Sequence, residues 1–101
     1  MDEVLNAVVE RIVKTVSPDR IILFGSRSKG SAKPDSDYDL LVLKRGTANR
    51  RALAHKIYRT LVGIPAPVDV LVDTPESMEK HRHTPGFVHA EAAQGLVIYE
   101  R

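Results

Sequence analysis

The chain has 101 residues, of which 43% are hydrophobic and 28% are charged, and it contains no cysteine. This length suits one domain with one core, and the aliphatic content argues against intrinsic disorder. The lack of cysteine excludes disulfides, thiolate catalysis and cysteine-ligated zinc, while a net charge of +2 favours no class of partner.

The start of the chain, Met1–Glu3, is acidic, whereas a signal peptide starts with basic residues. No apolar run approaches the ~20 residues that span a bilayer. We therefore expect a cytoplasmic protein that does not contact a membrane and that forms a single domain over residues 1–101.

The first predicted element is a helix over residues 2–16. Its apolar residues recur at three- and four-residue spacing, as one buried helix face requires: Val4, Leu5, Val8, Val9, Ile12, Val13 and Val16. The helix should end at Ser17-Pro18, because the residue before proline is disfavoured in the helical conformation. Short apolar runs then predict buried strands over residues 20–24 and 38–43, separated by a polar segment.

The second half of the chain predicts an alternation of helices and strands. The expected elements are a helix over 47–62, a strand over 68–72, helices starting at Thr74-Pro75 and Thr84-Pro85, and a strand over 96–99. Gly63 and Gly95 should end the first and the last of these helices. The order α-β-loop-β-α-β-α-α-β predicts a small α/β domain with helices packed on a sheet.

Positive charge is concentrated in the middle of the chain. Residues 27–59 contain nine lysines and arginines but only three acidic residues. Such an excess could attract phosphate or an acidic partner, although a solvated surface explains any single one of these residues equally well.

The segment Gly25–Gly30 directly follows the first predicted strand. A glycine there allows a sharp turn that exposes backbone N–H groups to phosphate, although an ordinary turn is the simpler alternative. The segment is not a Walker A loop, because Ser31 rather than lysine follows Gly30. It is not a dinucleotide-binding fingerprint either, because Arg27 stands where that motif needs glycine.

Three aspartates lie at the second and third predicted strands, with Asp37 directly before the second strand. Asp37 and Asp39 are two residues apart, so they should point to the same side and repel each other unless a cation such as Mg²⁺ lies between them. Asp69 lies between two valines of the third strand and is equally compatible with a solvent-facing edge position. If the three acids converge, they could form the divalent-metal site of phosphoryl or nucleotidyl transfer.

Gly25-Ser26, ten intervening residues and Asp37-Tyr38-Asp39 match the GS-x10-DxD motif. The chain thereby resembles the minimal nucleotidyltransferases (MNT proteins) of the DNA polymerase β-like nucleotidyltransferase superfamily. The resemblance implies their α/β (α+β) fold, a small mixed β-sheet flanked by helices. It also implies that Gly25 and Ser26 contact the nucleotide triphosphate, that Asp37 and Asp39 bind Mg²⁺, and that Asp69 completes the metal site and helps to activate the attacking hydroxyl.

The remainder of the Gly-Ser loop is expected to help in binding the nucleotide. Arg27 and Lys29 could neutralise charge on the triphosphate, and Gly30 belongs to the same loop. By contrast, His81, His83 and His89 have no suitable neighbours for a metal site, so we expect surface or helix-end positions. Tyr38 should point away from the two acids into a packed region, and Tyr58 should be partly buried on its helix.

The resemblance implies a Mg²⁺-dependent enzyme that transfers AMP from ATP, its substrate, to a hydroxyl group. Many MNT proteins resemble the antitoxin of a two-protein module whose partner is a HEPN-domain toxin, and some modify a toxin tyrosine. This predicts a HEPN toxin as partner and no direct nucleic-acid binding. Two alternatives remain, namely an antitoxin that neutralises its toxin by binding alone and a nucleotidyltransferase for small molecules of the aminoglycoside type.

Overall fold

The computed structural model of the protein describes residues 1–101. Its elements are α1 (Glu3–Val16), β1 (Arg20–Phe24), a 3₁₀ turn (Ser26–Ser28), β2 (Tyr38–Leu43), α2 (Arg50–Thr60), β3 (Val68–Asp73), α3 (Pro75–His81), α4 (Val88–Ala92) and β4 (Leu96–Glu100). None of the helices has the length and apolar character needed to cross a membrane.

The four strands form one mixed sheet in the order β3-β2-β1-β4. Strand β1 runs antiparallel to both β2 and β4, whereas β2 and β3 are parallel. The predicted fold class, a small mixed sheet flanked by helices, is confirmed. Because of these directions, the carboxyl end of β1 and the amino ends of β2 and β3 lie next to one another at one end of the sheet.

The core has two layers, one on each face of the sheet. Leu40 and Val42 of β2 face α1 and α2, whereas Leu41 and Leu43 face α3 and α4. All four side chains are almost completely buried. A strand covered on both faces is apolar at nearly every position, which explains why its limits could be predicted from the sequence.

Side-chain caps determine where three of the helices begin. The Asp2 carboxylate accepts from the Leu5 amide at 2.7 Å, so α1 starts one residue later than predicted. The predicted helix over 47–62 is too long, because the Asn49 side chain accepts from the Ala52 amide and α2 starts only at Arg50. The helix predicted to start at Thr74-Pro75 is confirmed, and the Thr74 hydroxyl accepts from the Ser77 amide.

The helix predicted to start at Thr84-Pro85 does not start there. The Phe87 amide donates to the Thr84 carbonyl at 3.2 Å, and Gly86 has a φ of +84°. Proline followed by a glycine of positive φ favours a tight turn of type II over a first helical turn. Helix α4 therefore begins only at Val88.

Strand β3 lies at an edge of the sheet, where its outer backbone groups have no neighbouring strand. The Tyr58 hydroxyl of α2 accepts from the Val70 amide at 2.8 Å and donates to the Val70 carbonyl at 3.3 Å. One side chain thus satisfies both backbone groups of a residue in the middle of this edge strand.

Candidate active site

The sheet brings the predicted site residues together where the carboxyl end of β1 meets the amino ends of β2 and β3. Asp39 is paired with Phe24 of β1 on one side and with Asp69 of β3 on the other. Gly25 follows Phe24 directly, and Asp37 lies one residue before β2. We refer to Asp37, Asp39 and Asp69 together as the acidic edge.

The acidic edge faces the side of the sheet that carries α3 and α4. Tyr38, which alternates with the acids, points the other way into the core and is only 3% exposed. Asp37 and Asp69 are exposed and Asp39 is half-buried, so the site is open to solvent. Glu91 of α4 adds a fourth negative charge near Asp39. Sequence reasoning missed Glu91, because an exposed glutamate on a short helix carries no local signal.

The carboxylates of the acidic edge disfavour one another's ionisation. Loss of solvent raises the pKa of Asp39, and the negative charges of Asp69, Asp37 and Glu91 raise it further. Loss of solvent also raises the pKa of Asp69, followed by the charge of Asp37 and a hydrogen bond with it. Such a group of acids attracts cations, and raised pKa values are typical of functional sites.

The donor chemistry of the acidic edge suits a hard divalent cation. No set of three His, Cys, Asp or Glu side chains lies close enough together to hold a metal ion by itself. Mg²⁺ does not require such a cage, because it keeps several waters and is usually bound by one or two carboxylates together with substrate phosphates. The residues therefore fit Mg²⁺, and the assignment of Asp37, Asp39 and Asp69 as its ligands stays a prediction.

Gly25 makes the close approach of β1 and β2 possible at this edge. Its φ of +75° and ψ of −158° belong to a region that is essentially restricted to glycine. A Cβ at this position would also collide with the Asp39 carboxylate oxygen Oδ2. Any side chain at position 25 would thus displace an acid of the site.

The loop after Gly25 folds back on itself. The amides of Ser28 and Lys29 donate to the carbonyls of Gly25 and Ser26, both at 3.1 Å, and the Ser31 amide donates to Ser26 at 3.2 Å. These three N–H groups are therefore engaged within the loop. Lys29 and Gly30 lie exposed beyond the turn, and their contact with a triphosphate stays a prediction, as does that of Ser26.

Arg27 lies within the same loop, but its guanidinium is bound to the protein itself. Its Nε and Nη2 donate to the Ser36 carbonyl at 3.0 and 2.9 Å, and Nη2 also reaches the Pro34 carbonyl at 3.2 Å. The group lies 3.9 Å from the centre of the Tyr38 ring. The structure thus gives Arg27 a role in holding the loop, while the predicted contact with phosphate is untested.

A second polar cluster lies at the other end of β3. Asp73 is 4% exposed and binds the Arg50 guanidinium at 2.8 Å and the His89 ring nitrogen Nε2. Loss of solvent acts to raise the pKa of Asp73, but hydrogen bonds from His89, Ser77 and the Thr74 amide and the charge of Arg50 outweigh it and lower the pKa.

His89 lies at a helix end, in the five-residue helix α4, as expected, but it is not a surface residue. Its side chain is only 15% exposed, because it is packed onto Asp73 and beside the rings of Phe87 and His81. His83 is exposed as expected, and none of the three histidines belongs to a group of metal ligands.

The fold and the acidic edge together define a domain of the nucleotide-transferring class. Residues 2–93 match the family described as the nucleotidyltransferase domain, and the chain belongs to this family. Over 42 residues it is 48% identical to a protein of Methanocaldococcus jannaschii named as a candidate protein adenylyltransferase. That match covers 42% of this chain but only 29% of the relative. The family match shows a nucleotidyltransferase domain, and the chain spans less than a third of the length of this curated relative.

Two solved structures share the fold. A candidate nucleotidyltransferase of Sulfolobus solfataricus superimposes with a TM-score of 0.71 at 19% identity, covering 98% of this chain and 79% of the other. A chain from a toxin–antitoxin structure with AMP-PNP superimposes with a TM-score of 0.59 at 22% identity, covering 95% and 73%. At these identities the likeness concerns the fold alone.

Proposed function

We propose that this protein is a Mg²⁺-dependent nucleotidyltransferase that moves AMP from ATP to a tyrosine hydroxyl of a partner HEPN toxin and thereby acts as its antitoxin. The observation that carries the proposal is the acidic edge. Three carboxylates, two on neighbouring strands and one just before β2, lie beside a glycine-serine turn and have no basic side chain bound to them.

The reaction requires positioning and charge neutralisation more than covalent chemistry by the protein. The acceptor oxygen forms a bond to the α-phosphorus of ATP, the bond from that phosphorus to the β-phosphate bridging oxygen breaks, and pyrophosphate leaves. Asp37 and Asp39, with Asp69 completing the site, would hold Mg²⁺, which would supply positive charge against the phosphates.

Asp69 is suited to accept the proton of the attacking hydroxyl. It is exposed on β3 and paired with Asp39 of β2, so an incoming hydroxyl can reach its carboxylate beside the other two acids. Gly25 lies against Asp39 and Ser26 follows it, so the turn can approach the triphosphate without a side chain at position 25 in between.

A macromolecular acceptor is supported by the openness of the site. Leu71, two residues after Asp69 on the same face of β3, is 42% exposed, so no part of this chain covers the strand there. The similar chain from a toxin–antitoxin structure with AMP-PNP agrees with a protein partner and with ATP as nucleotide, and the HEPN toxin is the partner implied by the sequence motif.

The test uses labelled ATP, Mg²⁺, the purified full chain and a co-expressed HEPN toxin. Asp37→Asn combined with Asp39→Asn should reduce AMP transfer about 10³-fold or more, because metal support of the transition state is worth several kcal/mol. Asp35→Asn is the control, since it removes an exposed negative charge from the loop before Asp37 without touching the acidic edge. Full transfer by the double variant would refute the site.

The same system separates the enzyme from an antitoxin that acts by binding alone. Asp69→Asn should lower transfer by ~10²–10⁴-fold, the usual contribution of a general base. If the mutant still protects cells while mass spectrometry finds the toxin unmodified, the binding-only antitoxin is supported. Transfer to an aminoglycoside in the absence of any toxin would support the small-molecule alternative.

A further inference from the structure

Arg27 connects the two segments of the proposed site. It follows Ser26 directly, and its side chain crosses the loop to the backbone just before Asp37. Two of its nitrogens, Nε and Nη2, donate to the same Ser36 carbonyl at 3.0 and 2.9 Å. The Ser36 carbonyl and the Asp37 amide belong to one planar peptide group, so holding the carbonyl holds the whole plane.

The Arg27 guanidinium is also held by a buried aromatic ring. It lies 3.9 Å from the centre of the Tyr38 ring, within the range of a cation–π interaction. Tyr38 is buried, and its hydroxyl donates to the Asp2 carboxylate at 2.8 Å. Asp2 in turn caps α1 through the Leu5 amide. Arg27 is therefore anchored on the first helix and has little freedom to turn toward a ligand.

The Asp37 side chain has no basic partner, and its one side-chain hydrogen bond is with another acid, Asp69. It is exposed and lies outside β2, so its direction depends on the backbone that carries it. That backbone is held on one side by Arg27 at Ser36 and on the other by the Tyr38 amide, which donates to the Pro67 carbonyl at 3.0 Å.

We infer that Arg27 is a positioning residue, which fixes the peptide before Asp37 and so directs the Asp37 carboxylate into the metal site, rather than a ligand of the triphosphate. The inference rests on the proposed function, because it assigns the task of preparing a metal ligand. A positioning role requires the shape of the arginine side chain, whereas charge neutralisation requires only its positive charge. Lysine keeps the positive charge but lacks the planar fork that places two donors on one carbonyl.

The experiment compares wild type, Arg27→Lys, Arg27→Ala and the charge control Lys33→Gln, all as the full chain. Lys33 is exposed in the same loop, and its side chain forms no hydrogen bond or ion pair. The probe is Mn²⁺ alone, titrated by calorimetry. Both Arg27 variants should bind Mn²⁺ about 10–100-fold more weakly, the usual cost of losing a residue that orients a metal ligand. Lys33→Gln should bind as wild type does.

Transfer kinetics give an independent readout. Arg27→Lys should lower kcat with an unchanged KM for ATP, because the nucleotide contacts remain while the metal ligand is misdirected. Wild-type Mn²⁺ affinity and kcat in Arg27→Lys would overturn the inference, as would a raised KM with kcat retained, which is the result expected of a phosphate-binding arginine.

Amide hydrogen exchange keeps the inference testable without metal or substrate. The Ser36 amide donates to the Lys33 carbonyl at 3.0 Å and should exchange faster in Arg27→Lys but not in Lys33→Gln. Equal Ser36 exchange in Arg27→Lys and wild type would overturn the inference, even if Arg27→Ala fails to fold. Absence of Mn²⁺ binding and of AMP transfer in the wild type would instead refute the proposed function.

Discussion

Asp69 and Asp73 lie four residues apart on the same face of β3, yet their surroundings are opposite. Asp69 is exposed at the amino end of the strand, and its nearest charged neighbours are other acids. Asp73 is buried at the carboxyl end, where Arg50 and His89 bind both of its oxygens. The pKa of Asp69 is raised, whereas that of Asp73 is lowered.

Loss of solvent acts in the same direction on both residues, so it cannot explain the difference. The difference in pKa comes from the groups that surround each carboxylate. At Asp73 the negative charge connects β3 with α2 and α4 and stabilises the fold. At Asp69 the negative charge is kept although it opposes folding, which is expected where a protein retains a charge for function rather than stability.

The largest effect on stability is expected from a side chain at position 25, which would collide with the acidic edge. Gly25→Ala should destabilise the protein by about 3 kcal/mol, because glycine-only backbone strain adds to a collision with Asp39. The matched control is Gly25→Ala in an Asp39→Ala background, which keeps the backbone strain at position 25 but removes the carboxylate that the new Cβ would meet. Urea unfolding of Gly25→Ala in both backgrounds separates the two costs, and equal losses of stability would mean that the collision is relieved freely.

The contrast itself is tested by neutralising each aspartate in turn. Asp73→Asn should lower the free energy of unfolding by about 2 kcal/mol, because it leaves Arg50 and His89 without their charged partner. Asp69→Asn should leave this free energy unchanged or raise it slightly, because it removes repulsion from Asp37. Urea unfolding at pH 7 measures both. A comparable loss of stability in Asp69→Asn would show that Asp69 has a structural role.

The pH dependence of stability is the smallest expected effect, but the two aspartates should contribute to it in opposite directions. Asp69 has a folded pKa above its unfolded value, so the wild type loses stability as pH rises through that raised pKa. The advantage of Asp69→Asn should therefore grow above about pH 4 and stay under about 1 kcal/mol after solvent screening.

Asp73 has a folded pKa below its unfolded value, so its contribution is present above about pH 4 and is lost as pH falls through the lowered pKa. The deficit of Asp73→Asn should therefore shrink in acid. Urea unfolding of the wild type and both variants at several pH values between 3 and 8 checks both signs. If the stability difference from the wild type changed with pH in the same direction for both variants, the comparison would be contradicted.

The parts of the fold that follow from local pattern could be predicted from the sequence. Strands β1 and β2 begin and end at the predicted residues, because apolar runs covered on both faces are bounded by polar turns. The meeting of Gly25, Asp39 and Asp69 follows from strands that run side by side. The start of α4 was missed, because Thr84-Pro85 matches a helix start, whereas the Pro85-Gly86 pair was a turn signal already present in the sequence.

Contacts between distant residues were not accessible in the same way. His89 and Asp73 are 16 positions apart in the chain, and nothing near either one indicates the other. The role of Arg27 was equally hidden, because charge in a glycine-serine loop suggests phosphate, and only the folded loop shows the guanidinium on the Ser36 carbonyl. Sequence pattern places residues on elements, whereas the pairing of polar side chains depends on how those elements pack.

The double hydrogen bond between Tyr58 and Val70 has a consequence for how other molecules approach the protein. An exposed edge strand is a template onto which a foreign strand can add, and such additions are a common route to aggregation. With the Tyr58 hydroxyl occupying both backbone groups of Val70, an incoming strand finds the middle of β3 already closed. A molecule that added to β3 as a strand would have to displace the Tyr58 hydroxyl one residue from Asp69, so approach to Asp69 across the face of the sheet is favoured over extension of the sheet.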